Sequence, residues 1–210
     1  MKAGWEEKPL REVCELRPQK RQAKEKLTDA DDVSFVPMKC LNSGSRDLSA
    51  HQTEPLSKVY SGYTYFAEND VLLAKITPCF ENGKLGVARN LVNGIGFGSS
   101  EFFVLRPGEG ILPDFLYYFL DQQSFRNSAE KVMGGAVGHK RVPKEFVQDL
   151  SIPIPPLEEQ RRIVAVLDEV FEGLDRARKN TETNLTNARE LFERALTCLL
   201  YTSPSPRDRG

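Results

Sequence analysis

The chain has 210 residues, 40% of them apolar and 28% charged, with a formal net charge of −1 at pH 7. That length suffices for one good-sized core or for a domain plus an extended element, and the near-neutral balance excludes a uniformly basic surface, so any nucleic-acid contact must rest on local placement of charge. No stretch approaches the roughly 18 consecutive apolar residues of a membrane span, and the opening "MKAGWEEKPL" lacks the basic-then-apolar order of a signal peptide, which predicts a cytoplasmic protein with no membrane partner.

Glycines and most aromatic residues lie between Met1 and about Pro156, after which the sequence is nearly glycine-free until its last residue and its acids and bases interleave. This composition shift predicts a compact α+β domain of short strands and helices over 1–155, one long helix over 156–198, and a disordered or non-native tail over 199–210. Cysteines at 14, 40, 79 and 198 are too dispersed for a zinc site and read as reduced thiols that mostly pack as small apolar residues.

In chain order, "DDVSFVPM" (Asp31 to Met38) and "DVLLAKI" (Asp70 to Ile76) are compact runs with β-branched residues and read as buried strands. In "ENGKLGVA", Asn82-Gly83 is the strongest short hairpin cue. "SSEFFVLRP" (Ser99 to Pro107) is another strand, stopped by its proline. The stretch from Pro113, with Asp114 in the first turn, predicts helices over about 113–121 and 124–132, and "VPKEFVQDL" a further short one.

"IPIPPLEEQRRIVAVLDEVF" (Ile152 to Phe171) then changes character partway. Residues before proline are pushed out of the α region, so Ile152, Ile154 and Pro155 stay extended and Pro156 starts the long helix, with Glu158 and Glu159 favoured by its dipole. A seam at heptad spacing runs along it through Ile163, Leu167, Val170, Leu174, Ala177, Thr181, Asn184, Ala188, Leu191 and Ala195, with Thr181 and Asn184 as a polar layer that fixes register. Such a helix is about 65 Å long at 1.5 Å per residue, too long for its own domain to cover, and predicts a partner helix.

Signals of catalysis by this chain are missing. "IPPL" lacks the polar first residue and the aromatic of an amino-methyltransferase loop, and "GIGFG" leads into a strand rather than from a strand into a helix. "NGKLG" is not a P-loop, and His51 and His139 have no carboxylate or cysteine neighbours at metal-ligand spacing. What remains is polar, glycine-flexed loops. "KITPCFENGK" places Lys75, Thr77, Asn82 and Lys84 around a turn, with donors for phosphate oxygens and an amide able to read a base edge. "GGAVGHKR" is a mobile small-residue loop ending in His139, Lys140 and Arg141, and "NSGSRDL" offers Ser43, Ser45 and Arg46. Taken singly each is a solvated loop; together they form a candidate DNA-binding set.

These residues resemble a known family. "KPLREVCEL", "DVLLAKITPCFENGK", "KRVPKEFVQDLSIPIPPLEEQRRIVAVLDE" and the long helix after them, over about residues 5 to 197, are similar to the specificity subunits of type I restriction-modification systems. The resemblance implies a target-recognition domain that contacts one half of a split double-stranded DNA sequence, followed by a spacer helix. It implies a non-catalytic chain that docks methyltransferase subunits, and restriction subunits after them, so that S-adenosylmethionine, ATP and Mg belong to those partners. Members typically carry two recognition domains and two long helices that pair antiparallel, whereas one of each is present here. The helix then meets either a second copy of this chain or a missing second half, and "LLYTSPSPRDRG", which breaks the heptad at Ser203, points to the second. Two other readings stand beside this one: a coiled-coil adaptor whose domain binds protein, and the recognition segment of a fused restriction-methyltransferase enzyme.

Overall fold

The computed structural model describes residues 4–49, 52–136 and 138–201, so His51 and most of the expected tail lie outside the described residues. Two compact units follow one another, Met1–Val164 and Ala165–Gly210. The strands are β1 (Glu6–Pro9), β2 (Cys14–Leu16), β3 (Asp32–Val36), β4 (Gln52–Pro55), β5 (Thr64–Ala67), β6 (Val71–Ala74), β7 (Leu85–Val87), β8 (Ile95–Gly98), β9 (Phe102–Pro107) and β10 (Ser151–Ile154). The helices are α1 (Leu10–Val13), α2 (Arg21–Lys24), α3 (Leu56–Val59), α4 (Pro113–Leu120), α5 (Gln123–Glu130), α6 (Lys144–Gln148) and α7 (Leu157–Tyr201).

Two four-stranded sheets, ordered β2-β9-β6-β7 and β4-β3-β8-β5, carry the first unit, with β1 and β10 as a separate antiparallel pair. Alternation along the strands sorts their side chains between layers. Val71, Leu73 and Leu105 point into a core shared with α4 and α5, while Leu72 and Val104 of the same strands point the other way, into a core with Val36 and Phe66 of the second sheet. On the far face of that sheet Val33, Tyr65, Ile95 and Phe97 pack with Ala23 of α2 and Leu56 and Val59 of α3. Strand β8, "IGFG", shows why glycine recurs there: a Cβ on Gly96 would lie 2.1 Å from the Phe66 ring, and one on Gly98 2.4 Å from the Val36 carbonyl. Its glycines therefore let the sheets close on Phe66, and the run is a strand, as its rejection as a cofactor turn requires.

One local device recurs. Pro9, Pro55 and Pro143 each stand immediately before a short helix in extended conformation, with φ of −67, −64 and −63°. The ring fixes the φ that the turn needs, so a strand or bridge can pass directly into a helical turn that buries Leu10, Leu56 or Val147.

The Ile-Pro stretch is extended, as expected, and is also paired: β10 runs antiparallel to β1, with Glu6 opposite Ile154 and Lys8 opposite Ile152. Prolines are tolerated because this is an edge pair. Pro156 precedes the long helix rather than opening it; its carbonyl accepts the first helical hydrogen bond, from Gln160 N–H at 3.0 Å. Helix α7 then runs through Tyr201, past the expected boundary at 198. Ile163 and Val164 pack against the core that holds α4 and α5, so the compact unit extends to Val164 rather than 155. Gln160 is fully buried in the first turn.

Asn82-Gly83 does not form a two-residue hairpin. β6 and β7 are antiparallel neighbours, but residues 75–84 between them form a helical turn, with Phe80 N–H bonded to Ile76 O and Asn82 N–H to Pro78 O, both at 3.0 Å. Gly83, at φ +69°, ends that turn in the left-handed conformation that glycine adopts without strain. Cys14 and Cys40 are buried and Cys198 is exposed; burial pushes the Cys14 thiol up to about 12, which leaves it un-ionised and inert.

Candidate nucleic-acid interface

β6 delivers the chain at Ala74 into the 75–84 turn, and that turn is stitched to the 134–141 loop. Val142 N–H donates to Lys75 O at 2.9 Å and Thr77 N–H to Lys140 O at 3.0 Å. The second loop is itself closed by reciprocal backbone bonds between Gly134 and Arg141, at 2.8 and 3.1 Å. Lys75, Thr77, Lys140 and Arg141, far apart in sequence, therefore form one surface.

Glu101 organises its charges. Arg141 grips it with two hydrogen bonds, Nε to Oε2 at 3.0 Å and Nη2 to Oε1 at 2.8 Å, while Lys75 Nζ lies 4.0 Å from Oε2 and donates to Ser100 O at 2.8 Å. The hydrogen bond from Arg141 holds the Glu101 carboxyl below its usual range. Desolvation pushes the Lys75 ammonium down against the opposing pull of Glu101.

The other expected residues have varied surroundings. Thr77 Oγ1 donates to Glu81 at 2.7 Å and so braces its own turn. Asn82 is exposed. Lys84 Nζ donates to Met38 O at 3.2 Å, and Ser43 sits opposite Lys84 in an isolated bridge, which joins the 42–48 loop to this region. Arg46 is directed elsewhere: its Nε lies 3.1 Å from Asp114 Oδ1, a carboxylate that also takes two 2.7 Å bonds from Arg89. His139 and Lys140 are exposed.

Sequence reasoning missed three cations beside Lys75. A cleft of about 440 Å³ is lined by Arg17, Lys20, Lys75 and Lys144 together with Tyr63 and Thr64. The signal was present in "RPQKRQAK", Arg17 to Lys24, a basic run that follows β2.

Basic, glycine-flexed loops on a two-sheet domain, followed by a proline junction and a 45-residue helix, match a known pattern along most of the chain. The family model of the type I restriction modification DNA specificity domain matches residues 2–185. The chain belongs to this family.

Among relatives of this specificity domain, the Escherichia coli type I restriction enzyme EcoEI specificity subunit is 35% identical over 198 residues, 93% of this chain and 32% of that protein. The EcoAI specificity subunit, also of E. coli, is 34% identical over 197 residues, again 32% of its length. The chain thus spans about a third of these relatives. The fold is that of the HsdS subunit from Thermoanaerobacter tengcongensis, with a TM-score of 0.73 at 21% identity over 98% of this chain and 52% of that one. A chain from a structure concerned with assembly and conformational transition of a type I restriction-modification system gives 0.78 at 22% identity, covering 97% and 52%.

In this specificity domain the expected seam of α7 divides. Ile163 is half-buried against the core of the first unit, and Leu167 is partly covered. From Val170 onward the seam residues Leu174, Ala177, Thr181, Asn184, Ala188, Leu191 and Ala195 are all exposed, and Thr181 Oγ1 donates back to Ala177 O at 2.9 Å. A further apolar line was missed: Leu185, Phe192 and Leu199, seven residues apart, are 52, 64 and 80% exposed and broaden the stripe. Among the described residues no group of three or more His, Cys, Asp or Glu could hold a metal ion, and no helix is long and apolar enough to cross a membrane.

Proposed function

We propose that this chain is the recognition half of a type I specificity subunit: its first unit reads one half of a bipartite duplex target, and α7 sets the distance to the other half. The observation that carries this is that the family match, over residues 2–185, includes both the domain and most of the helix. The loops at 75–84 and 134–141 supply the reading surface, with Lys75, Lys140 and Arg141 toward phosphates and Asn82 toward a base edge. Lys84, His139 and Ser43 border it, whereas Arg46 is held by Asp114.

The exposed stripe of α7 pairs with a second helix of the same kind, and the assembled chain docks methyltransferase subunits, joined by restriction subunits, in the cytoplasm. Catalysis belongs to those partners, which use S-adenosylmethionine, ATP and Mg; this chain contributes sequence choice. Phosphate contacts supply much of the affinity and make it salt-dependent.

The test is to express the chain with the methyltransferase subunits encoded beside it and to map methylated bases across the host genome. A bipartite motif whose half-site changes when this first unit is exchanged for that of another member supports the reading. A motif indifferent to the exchange overturns it.

A further inference from the structure

Most arginines of the first unit are engaged by carboxylates. Arg11 pairs with Asp149, Arg46 and Arg89 share Asp114, Arg106 pairs with Asp70, Arg126 with Asp121 and Arg141 with Glu101. Arg17 has no carboxylate partner among the described residues, and neither have Lys20 and Lys144; Lys20 instead donates to Tyr60 O at 3.3 Å. All three line the same cleft as Lys75, and no Asp, Glu, Asn or Gln lines it. A second cleft of about 410 Å³ shares Arg17 and Lys20 and adds Arg21.

The backbone supports a role for this concentration of charge. Arg17 has φ +62°, in the left-handed region that a long side chain seldom adopts, whereas the other non-glycine residues with positive φ among the described residues are Asn69, Asn90 and Asn93. Its N–H is fixed by Val104 O at 2.9 Å, and Pro18 after it is buried, so the strained residue is held in place with its side chain exposed. Strain of this kind persists where the surroundings over-determine it and collects at binding sites.

Resting on the DNA-recognition reading, we infer that this cleft is a phosphate clamp: Arg17, Lys20, Lys75 and Lys144 hold consecutive phosphodiesters of one strand and do not read bases. Three of these cations lack a carboxylate partner among the described residues, which suits a charge-dense ligand, while Lys75 is shared with Glu101 at 4.0 Å. A cleft lined by no carboxylate or side-chain amide offers phosphate little repulsion and few of the paired donors and acceptors that distinguish bases. The clamp fixes register, while the adjoining loops at 75–84 and 134–141 carry the sequence choice.

The experiment uses the full chain and a randomised duplex pool. Wild type, Arg17→Ala, Lys144→Ala, the double variant and Arg17→Lys are compared for affinity across a salt titration and for the sequences recovered in the bound fraction, with far-UV circular dichroism melts to check folding. The clamp predicts that the slope of log affinity against log salt falls by about 1 per alanine substitution, that Arg17→Lys restores it, and that the recovered sequences do not change. Salt-steep wild-type binding with unchanged slopes in both alanine variants overturns the clamp and leaves the recognition reading standing. Altered recovered sequences at unchanged slope also overturn it, by making the cleft a base reader. Wild-type binding without salt dependence or sequence preference overturns both readings together.

Discussion

The side-chain oxygen of Gln160 accepts a hydrogen bond from the backbone N–H of Leu112 at 2.9 Å. Its amide nitrogen donates to Gly110 O at 2.9 Å and to Pro155 O at 2.8 Å, so one fully buried side chain satisfies three backbone groups and ties the first turn of α7 to the approach to α4. Gln160→Leu leaves those three backbone groups without their side-chain partner. The expected loss is about 2–4 kcal/mol, since each unsatisfied buried group costs about 1–3 kcal/mol. Urea unfolding of the full chain measures it; a loss below about 0.5 kcal/mol would show that the amide is dispensable.

Asp70 and Arg106 make the same kind of commitment with charge. Asp70 is 1% exposed and receives two 2.8 Å bonds from Arg106, whose Nη1 also reaches Gln22 at 2.6 Å. Arg106→Met strands the carboxylate and is expected to cost about 3–5 kcal/mol. Burial already raises the Asp70 carboxyl above its usual value, and removing Arg106 raises it further. A folded-state value above the unfolded one means that the penalty is absent below the unfolded value and grows as pH rises. The variant should therefore regain stability as pH falls from 7 toward 4; continuous loss over that range would contradict this account.

Glu101 predicts the opposite slope. Its carboxyl is held low in the folded state by Arg141, so its contribution is present above the unfolded value and is lost as pH falls. The stability gap between wild type and Glu101→Gln should close as pH falls below about 4.5, the ordinary value of a glutamate carboxyl. The same substitution removes a negative charge beside Lys75 and Arg141 and should strengthen DNA binding about two- to fivefold, the worth of one exposed charge pair. Fluorescence anisotropy on a mixed duplex pool reads this; weaker binding would place Glu101 among the direct contacts.

The uncovered stripe of α7 makes a third kind of prediction. Leu174 and Phe192 are 59 and 64% exposed. If a second helix covers them, Leu174→Glu or Phe192→Glu removes about 2 kcal/mol of apolar burial, roughly a 30-fold loss of association. Sedimentation of the full chain over a concentration series tests this, and association unchanged in both variants would exclude the stripe as the pairing face.

Much of the core was legible because its strands are short runs buried on both faces: Val71–Ala74 lies inside the expected Asp70 to Ile76, and Phe102–Pro107 inside Ser99 to Pro107. The two middle helices and α7 were legible from proline position and periodicity. Pairings over long separations were not. β10 was expected to be extended, but nothing local indicates that Glu6–Pro9 lies beside it. The site divided similarly. Lys75, Thr77 and Arg141 do meet, through backbone bonds between distant loops, whereas Arg46 is taken by Asp114 and Arg17 gains its setting from a left-handed backbone that composition does not reveal. Asn82-Gly83 was misjudged because one dipeptide serves both hairpin turns and helix ends.

In the proposed function the first unit reads a half-site and α7 measures the gap to the other. Inserting four residues beside Thr181 lengthens a helix by about 6 Å, close to two base-pair steps of duplex at about 3.4 Å each, and leaves the reading surface untouched. Genome-wide mapping of methylated bases, with the chain expressed beside its methyltransferase subunits, should show both half-sites unchanged and the gap longer by about two base pairs. A motif with an unaltered gap, from a variant that still directs methylation, would contradict the account.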